Sequence, residues 1–211
     1  MNSRTAKFIT FEGIEGVGKT TQLALAGSWA ERNGISHIVT REPGGTPLAE
    51  KIRDLVLAPR EENLPGTAEL LLMFAARSVH LENRIQPALA TGHWVFCDRF
   101  TDATYAYQGA GRGIISASIA ALEAQVQGTR QPDLTFLLDM PAADGMRRVQ
   151  QRGLRPDRFE SERVEFFERV RQGYLSRAQS APRRFVVIDA GATADAVHSI
   201  IAQRLAALAA A

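Results

Sequence analysis

The chain is poor in cysteine, lysine and aromatic residues, and the first two shortages narrow what it can be. One cysteine, Cys97, among 211 residues leaves no intrachain disulfide and no Cys-rich zinc site. No run approaches about 18 consecutive apolar residues, so no transmembrane helix is expected. The segment from Met1 to Lys7 leads into too short an apolar stretch for a secretory signal. A reducing cytoplasm is therefore the expected compartment. The histidines His37, His80, His93 and His198 are scattered without metal-ligand spacing and read as structural. Only three of the 25 basic residues are lysines: Lys7, Lys19 and Lys51. The rest are arginines. Genome composition accounts for most of them, although a guanidinium also suits bidentate contact with phosphate. A formal net charge of +2 is too small to imply nucleic acid or membrane as a partner, and neither is expected.

What is present is ordinary for a globular protein, with 45% hydrophobic and 23% charged residues. At roughly 150 residues per domain, the chain from 1 to 211 is expected to be one domain. Short apolar runs alternate with longer amphipathic stretches. Strands are expected at Phe8–Phe11, Ser36–Thr40, Trp94–Cys97, Leu134–Leu138 and Phe185–Ile188. Helices are expected at Lys19–Asn33, Pro47–Leu57, Thr67–Ala90, Ser116–Gln127, Ala142–Arg152, Glu162–Ala178 and Ala194–Leu208. The long third helix should bend before Pro87, because proline disfavours helix just upstream. The alanine-rich tail reads as a fraying helix end. This alternation predicts an α/β fold with a five-stranded parallel sheet covered on both faces, binding ligands beyond the carboxyl ends of its strands.

The strongest local signal is Gly13-Ile14-Glu15-Gly16-Val17-Gly18-Lys19-Thr20, which fits G-x-x-x-x-G-K-[ST] without mismatch. A strand precedes it and a helix follows, as a phosphate-binding loop requires. Glycines let the backbone wrap an anion with its N–H groups inward, and the helix N-terminus adds positive potential. Lys19 is placed to reach the β- and γ-phosphates, and Thr20 to hold Mg²⁺ through its hydroxyl. Thr21 follows in the same helix turn and joins the expected ATP contacts. The loop identifies a nucleoside-triphosphate site but leaves the acceptor open. A small-molecule kinase, a GTPase switch and a mechanical ATPase all carry it. No Asn-Lys-x-Asp segment is present to read guanine. Strands ending in paired acids, usual in a mechanical ATPase, are also missing. A small-molecule kinase should instead show a second arginine-lined anion site and an arginine-rich lid.

Both features are here. The segments Phe11-Glu12-Gly13-Ile14-Glu15-Gly16, Thr40-Arg41-Glu42-Pro43-Gly44-Gly45-Thr46, Asp98-Arg99-Phe100 and Ala106-Tyr107-Gln108-Gly109, in that order, resemble the thymidylate kinase family from about Phe8 to Ala192. The resemblance implies a P-loop kinase fold, transfer of a phosphoryl group from ATP to dTMP with Mg²⁺, and a homodimer. It implies that Arg99 clamps the dTMP phosphate and that Asp98 helps hold Mg²⁺ through water; a strand-end salt bridge is the plainer alternative. Phe74 and Arg77 match the thymine-reading pair, Phe74 by stacking and Arg77 by donating to the base O4. Periodicity alone would put Phe74 in the core. Thr104 and Gln108 match residues beside the base, and Tyr107 one placed under the deoxyribose. Arg53 and Arg41 match residues near the monophosphate, although Arg41 also reads as a solvated arginine. Glu15 matches an acid facing the sugar 3′-hydroxyl and the metal. An acid inside a phosphate loop would repel phosphate, so an acceptor-side role explains it better.

The stretch from Arg147 to Arg158 carries five arginines and breaks at Gly153 and Pro156. It resembles the lid of the bacterial-type enzymes, and the lid is expected at about 147–160. Some members of the family place a catalytic arginine in the phosphate loop. Position 16 here is glycine, so the charge is expected from Arg152, Arg155 or Arg158. The run Leu154-Arg155-Pro156 departs from the family pattern and leaves open which of them points inward. Arg147 is expected over the adenine, with Ala192 contacting its other side through the backbone. Cys97 reads as core. Asp139 and Asp189 read as strand-end caps without catalytic roles. The apolar faces around Leu48–Leu57 and Leu70–Leu81 suit either a dimer interface or core. Two other readings stand beside this one: a kinase for another nucleoside monophosphate, and an assembly ATPase without a small acceptor.

Overall fold

The computed structural model describes residues 5–151, 158–160 and 162–210. Five parallel strands form one sheet in the order β2-β3-β1-β4-β5. They are β1 (Phe8–Glu12), β2 (His37–Arg41), β3 (Trp94–Asp98), β4 (Leu134–Asp139) and β5 (Phe185–Asp189). All five match the expected runs to within one residue at either end. β1 is buried along its whole length, with β3 on one side and β4 on the other. Successive side chains alternate between faces. Ile9 and Phe11 join Phe96 and Phe136 in the main core. Phe8 joins Val95, Cys97 and Phe100 on the opposite face. Cys97 is fully buried, as expected, and burial raises its thiol pKa well above the ordinary value.

The helices are α1 (Lys19–Arg32), α2 (Pro47–Leu57), α3 (Gly66–His80), α4 (Gln86–Ala90), α5 (Thr101–Thr104), α6 (Ser116–Gln127), α7 (Ala142–Gln150), α8 (Val164–Ser180) and α9 (Ala194–Ala210). α2 and α6 lie where the sequence predicts. The start of α2 follows from its residues: Thr46 caps it by accepting from Ala49 N, and Pro47 occupies the first turn, where no N–H is missed. The helix expected over Thr67–Ala90 is interrupted by a π turn at Leu81–Ile85. Pro87 lacks an N–H and crowds the carbonyl four residues back, at Asn83, so the widening falls where the proline demands it. A second π segment, Tyr105–Gly111, continues α5 and carries Tyr107 and Gln108. α7 ends two residues before the expected boundary and α8 begins two residues after it. The alanine-rich tail continues α9 as helix to Ala210. The loops after β1, β2 and β3 open together at the carboxyl edge of the sheet, where strand order reverses around β1, and the site lies there.

Candidate active site

The phosphate loop bridges β1 and α1. Gly13, Gly16 and Gly18 hold φ of 134°, 79° and 91°, and Gly18 leads directly into the helix. Gly16 packs its α-carbon on the Gly145 carbonyl of α7 so closely that a Cβ would collide with it. Position 16 therefore admits no side chain, and an arginine cannot be supplied from it. Ile14 and Val17 point into the core, leaving the loop's backbone to face the cavity. Lys19 folds back over the loop, donating from Nζ to the carbonyls of Gly13 at 3.0 Å and Ile14 at 2.8 Å. Burial, assisted by the nearby Arg99 charge, lowers its pKa from 10.5 to about 8. An anion brought to this point reverses that penalty.

A cavity of about 240 Å³ extends from the loop toward α3. Gly16, Lys19, Thr20 and Thr21 line one end. Arg99 forms its wall. It is the one non-glycine among the described residues with positive φ, at 69°. Its Nη1 donates to Gly13 O and Tyr174 Oη, both at 2.8 Å, and its Nη2 to Glu15 Oε1 at 3.0 Å. Glu15 Oε2 accepts from Tyr107 Oη at 2.7 Å, and the Tyr107 ring lies 4.8 Å from the Arg99 guanidinium carbon. Beneath them, fully buried Glu12 accepts from Phe100 N at 2.7 Å and Tyr174 Oη at 2.9 Å. Glu12 thus holds the unusual Arg99 backbone and, through Tyr174, its side chain. Burial, aided by Asp102, raises the Glu12 pKa from 4.5 to about 8.

Asp98 Oδ1 is buried with no hydrogen-bond partner among the described residues, and Asp98 shares the cavity with Thr20. No group of three metal-ligating acids, histidines or cysteines occurs among the described residues. One carboxylate and one hydroxyl beside a phosphate site fit Mg²⁺, which keeps several waters and takes the rest of its ligands from substrate phosphates.

The far end of the cavity is built around Arg77, only 3% exposed. Its Nε donates to Glu42 Oε2 at 2.7 Å and its Nη2 to Thr104 Oγ1 at 3.0 Å. Nη1 is buried with no partner among the described residues. Thr104, Tyr107 and Gln108 line the cavity beside it, and Gln108 Nε2 is held by Glu69 Oε1 at 2.7 Å. Phe74 departs from expectation. It packs with Leu70 and Ile119, beneath the Arg77 guanidinium, and is not among the cavity-lining residues, whose aliphatic and aromatic members include Met73, Leu57, Phe100, Tyr107 and Phe159. Phe74 precedes Arg77 by three residues and Met73 by four. The one-residue difference turns Phe74 toward α6 and leaves Met73 on the cavity. Arg53 lines the cavity, donating to Pro43 O at 3.0 Å, and burial lowers its pKa. Arg41 lies outside it, with its side chain 52% exposed and paired with Glu50.

Of the expected lid arginines, Arg152 and Arg155 lie outside the described residues. Arg158 is turned away from the phosphate loop, donating to Val56 O at 2.8 Å and pairing with Glu69 Oε2 at 2.5 Å. Its neighbours Phe159 and Glu160 line the cavity. Arg147 is exposed and paired with Asp144, while Arg148 reaches Ala190 O at 3.0 Å, close to the exposed Ala192. Sequence reading passed over Glu12, Glu42, Glu69 and Tyr174 as site residues. Two buried acids inside the motif segments, Glu12 and Glu42, were the available signal, since a buried carboxylate needs partners. His80, read as structural, is fully buried between Thr40 and Glu42. Asp189 caps its turn by accepting from Gly191 N, whereas Asp139 pairs with Arg171 through both oxygens.

Comparison with known proteins gives one consistent result. The profile of the family described as Thymidylate kinase matches residues 11–201. A thymidylate kinase from Chromohalobacter salexigens is 59% identical over 200 residues, covering 94% of each chain. One from Alkalilimnicola ehrlichii is 52% identical over 200 residues, covering 95% of this chain and 92% of that one. The crystal structure of thymidylate kinase from Ehrlichia chaffeensis superposes with a TM-score of 0.76 at 36% identity, covering 95% of this chain and 98% of that one.

Proposed function

The chain belongs to the thymidylate kinase family, and from that premise we propose which of its residues perform the reaction. The protein is an ATP-dependent phosphotransferase on a P-loop kinase fold. It moves the γ-phosphoryl group of ATP to dTMP, giving dTDP and ADP in the route to dTTP. The observation carrying the assignment is the shape of one cavity: phosphate-loop donors and Lys19 at one end, a buried arginine with a free N–H at the other, and Arg99 between them.

In this reading the loop from Gly13 to Thr21 wraps the ATP phosphates and Lys19 neutralises charge on the transferring group. Arg99 leaves Glu15 in part to clamp the acceptor phosphate in line. Glu15 and Tyr107 face the sugar, and Arg53 supports the monophosphate end. Arg77 Nη1 donates to the base carbonyl, with Thr104 and Gln108 beside it and Met73 and Phe100 against the ring. Thr20 and Asp98 would hold Mg²⁺, the latter through water, and the bound ion would supply charge neutralisation to the phosphates. The acceptor oxygen is already ionised at neutral pH, so no strong general base is required. Lid arginines at 152 and 155 supply further charge, and Arg158 joins them on release from Glu69. Arg147 and the backbone at Ala192 bracket the adenine.

The same reading takes 1–211 as a single domain with a lid at about 147–160. It makes the protein a homodimer, for which Leu48 and Leu55 on α2 and Leu71 on α3, each more than half exposed, are the interface candidates. It places the protein in the cytoplasm. Among the described residues no helix is long and apolar enough to cross a membrane.

Coupled ADP release, with ATP and Mg²⁺ against dTMP, dUMP, dCMP and a blank without acceptor, tests the assignment. Turnover highest on dTMP and near zero in the blank is expected. Equal release in the blank would remove the acceptor site from the account.

A further inference from the structure

His80 stands three residues beyond Arg77 on α3, fully buried, and none of the roles above uses it. Its Nδ1 donates to Glu42 Oε1 at 3.0 Å, since a carboxylate oxygen paired with arginine accepts. Its Nε2 lies 2.6 Å from Thr40 Oγ1. The loop after β2 closes around the ring: Gly45 has φ of 84°, and a Cβ there would meet both His80 and Thr40 Oγ1. The other oxygen of Glu42 receives Arg77 Nε. A continuous chain therefore runs from Thr40 through His80 and Glu42 to Arg77, ending at the unpartnered Nη1.

The terminal torsion of a glutamate is broad. A carboxylate held at one oxygen alone can pivot, and the Arg77 guanidinium would then keep its contacts to Thr104 and the Phe74 ring while losing its fixed hold at Nε. His80 holds the second oxygen. We propose that His80 is a positioning residue for base selection: through Glu42 it sets the direction of the free Arg77 N–H, so that the cavity takes a pyrimidine presenting a carbonyl there and rejects one presenting an amino group. A carbonyl satisfies the buried donor. An amino group leaves it unpaired, and an unpaired buried donor is costly. The inference rests on Arg77 as the base-reading residue.

The test is steady-state kinetics of His80→Gln and His80→Asn with dTMP, dCMP and ATP, beside Arg77→Ala. Gln places its amide near the Nε2 position and abandons Glu42, whereas Asn keeps a donor near Nδ1. His80→Gln is expected to raise KM for dTMP about 10-fold and to narrow the dTMP-over-dCMP preference by a similar factor, as loss of a bond to a charged group implies. KM for ATP should stay within about twofold, and His80→Asn should recover most of the loss. Glu42→Gln is expected to show the same dTMP-selective rise and carries the test if His80→Gln does not fold. Unchanged dTMP KM and preference in a folded variant would overturn the proposal, as would equal rises for dTMP and ATP. If Arg77→Ala itself leaves dTMP untouched, the base-reading assignment falls and this inference with it. If Arg77→Ala loses dTMP while the His80 and Glu42 variants do not, only this inference falls.

Discussion

Arg99 donates to Glu15 Oε1 at 3.0 Å, tying the strand-end arginine to the acid inside the phosphate loop. The pair explains why an acid is tolerated where phosphate must bind. Glu15 is matched by a guanidinium and a tyrosine hydroxyl, so its charge is already compensated. The left-handed backbone of Arg99 is sustained from below, where Glu12 accepts from Phe100 N.

Arg99→Ala is expected to lower kcat ~10³-fold, the scale of losing a transition-state arginine in phosphoryl transfer. Arg99→Lys should recover little, because an ammonium cannot reach Gly13, Tyr174 and an acceptor phosphate with one planar fork. Single-turnover rates with both substrates bound measure this, and a near-normal rate in the alanine variant would remove Arg99 from the chemistry.

Burial raises the Glu12 pKa from 4.5 to about 8, so the folded chain keeps a proton that the unfolded chain releases above pH 4.5. Between those values the unfolded state binds fewer protons, and the contribution of Glu12 to stability falls as pH rises. It is fully present below about 4.5 and lost by about 8. Denaturant titrations from pH 5 to 8 should show wild type losing stability relative to Glu12→Gln as pH increases. Parallel curves for the two proteins would contradict the buried, protonated acid.

Gly16→Ala is expected to destabilise the fold by about 2 kcal/mol, through the strain of positive φ and contact with a carbonyl that cannot yield. Thermal melting reports it. An unchanged midpoint would mean that α7 does not sit against the loop.

Chelating divalent ions should abolish turnover. Asp98→Asn should raise the Mg²⁺ concentration for half-maximal rate ~10-fold, the scale for a group that acts on the ion through water. The same Mg²⁺ dependence in wild type and variant would leave the buried Asp98 oxygen without that role.

The parts legible from sequence are those set by neighbouring residues. β1, the glycine loop and the start of α1 are consecutive, and the apolar runs of the strands stand out because both faces of the sheet are covered. The capped start of α2 is equally local. The long-range pairs that frame the cavity are not. Glu42 and Arg77 are 35 residues apart, and Glu12 and Tyr174 are 162 apart. Their pairing depends on how α3 and α8 pack on the sheet. Phe74 shows the same limit within one helix. Residues three and four before Arg77 share a broad face, and only packing against Ile119 decides which one reaches the cavity. Arg158 belongs to an arginine run whose composition suggested phosphate, yet a buried acid from α3 holds it.

In the proposed function, one cavity reads the acceptor's base at Arg77 and the donor's phosphates at Lys19. The most direct test is Arg77→Ala, with KM and kcat determined separately for dTMP and ATP. Losing a charged donor to a buried carbonyl predicts a fall of ~10²-fold in kcat/KM for dTMP, with KM for ATP nearly unchanged. Equal losses for both substrates would contradict the division of the cavity and the base-reading role together.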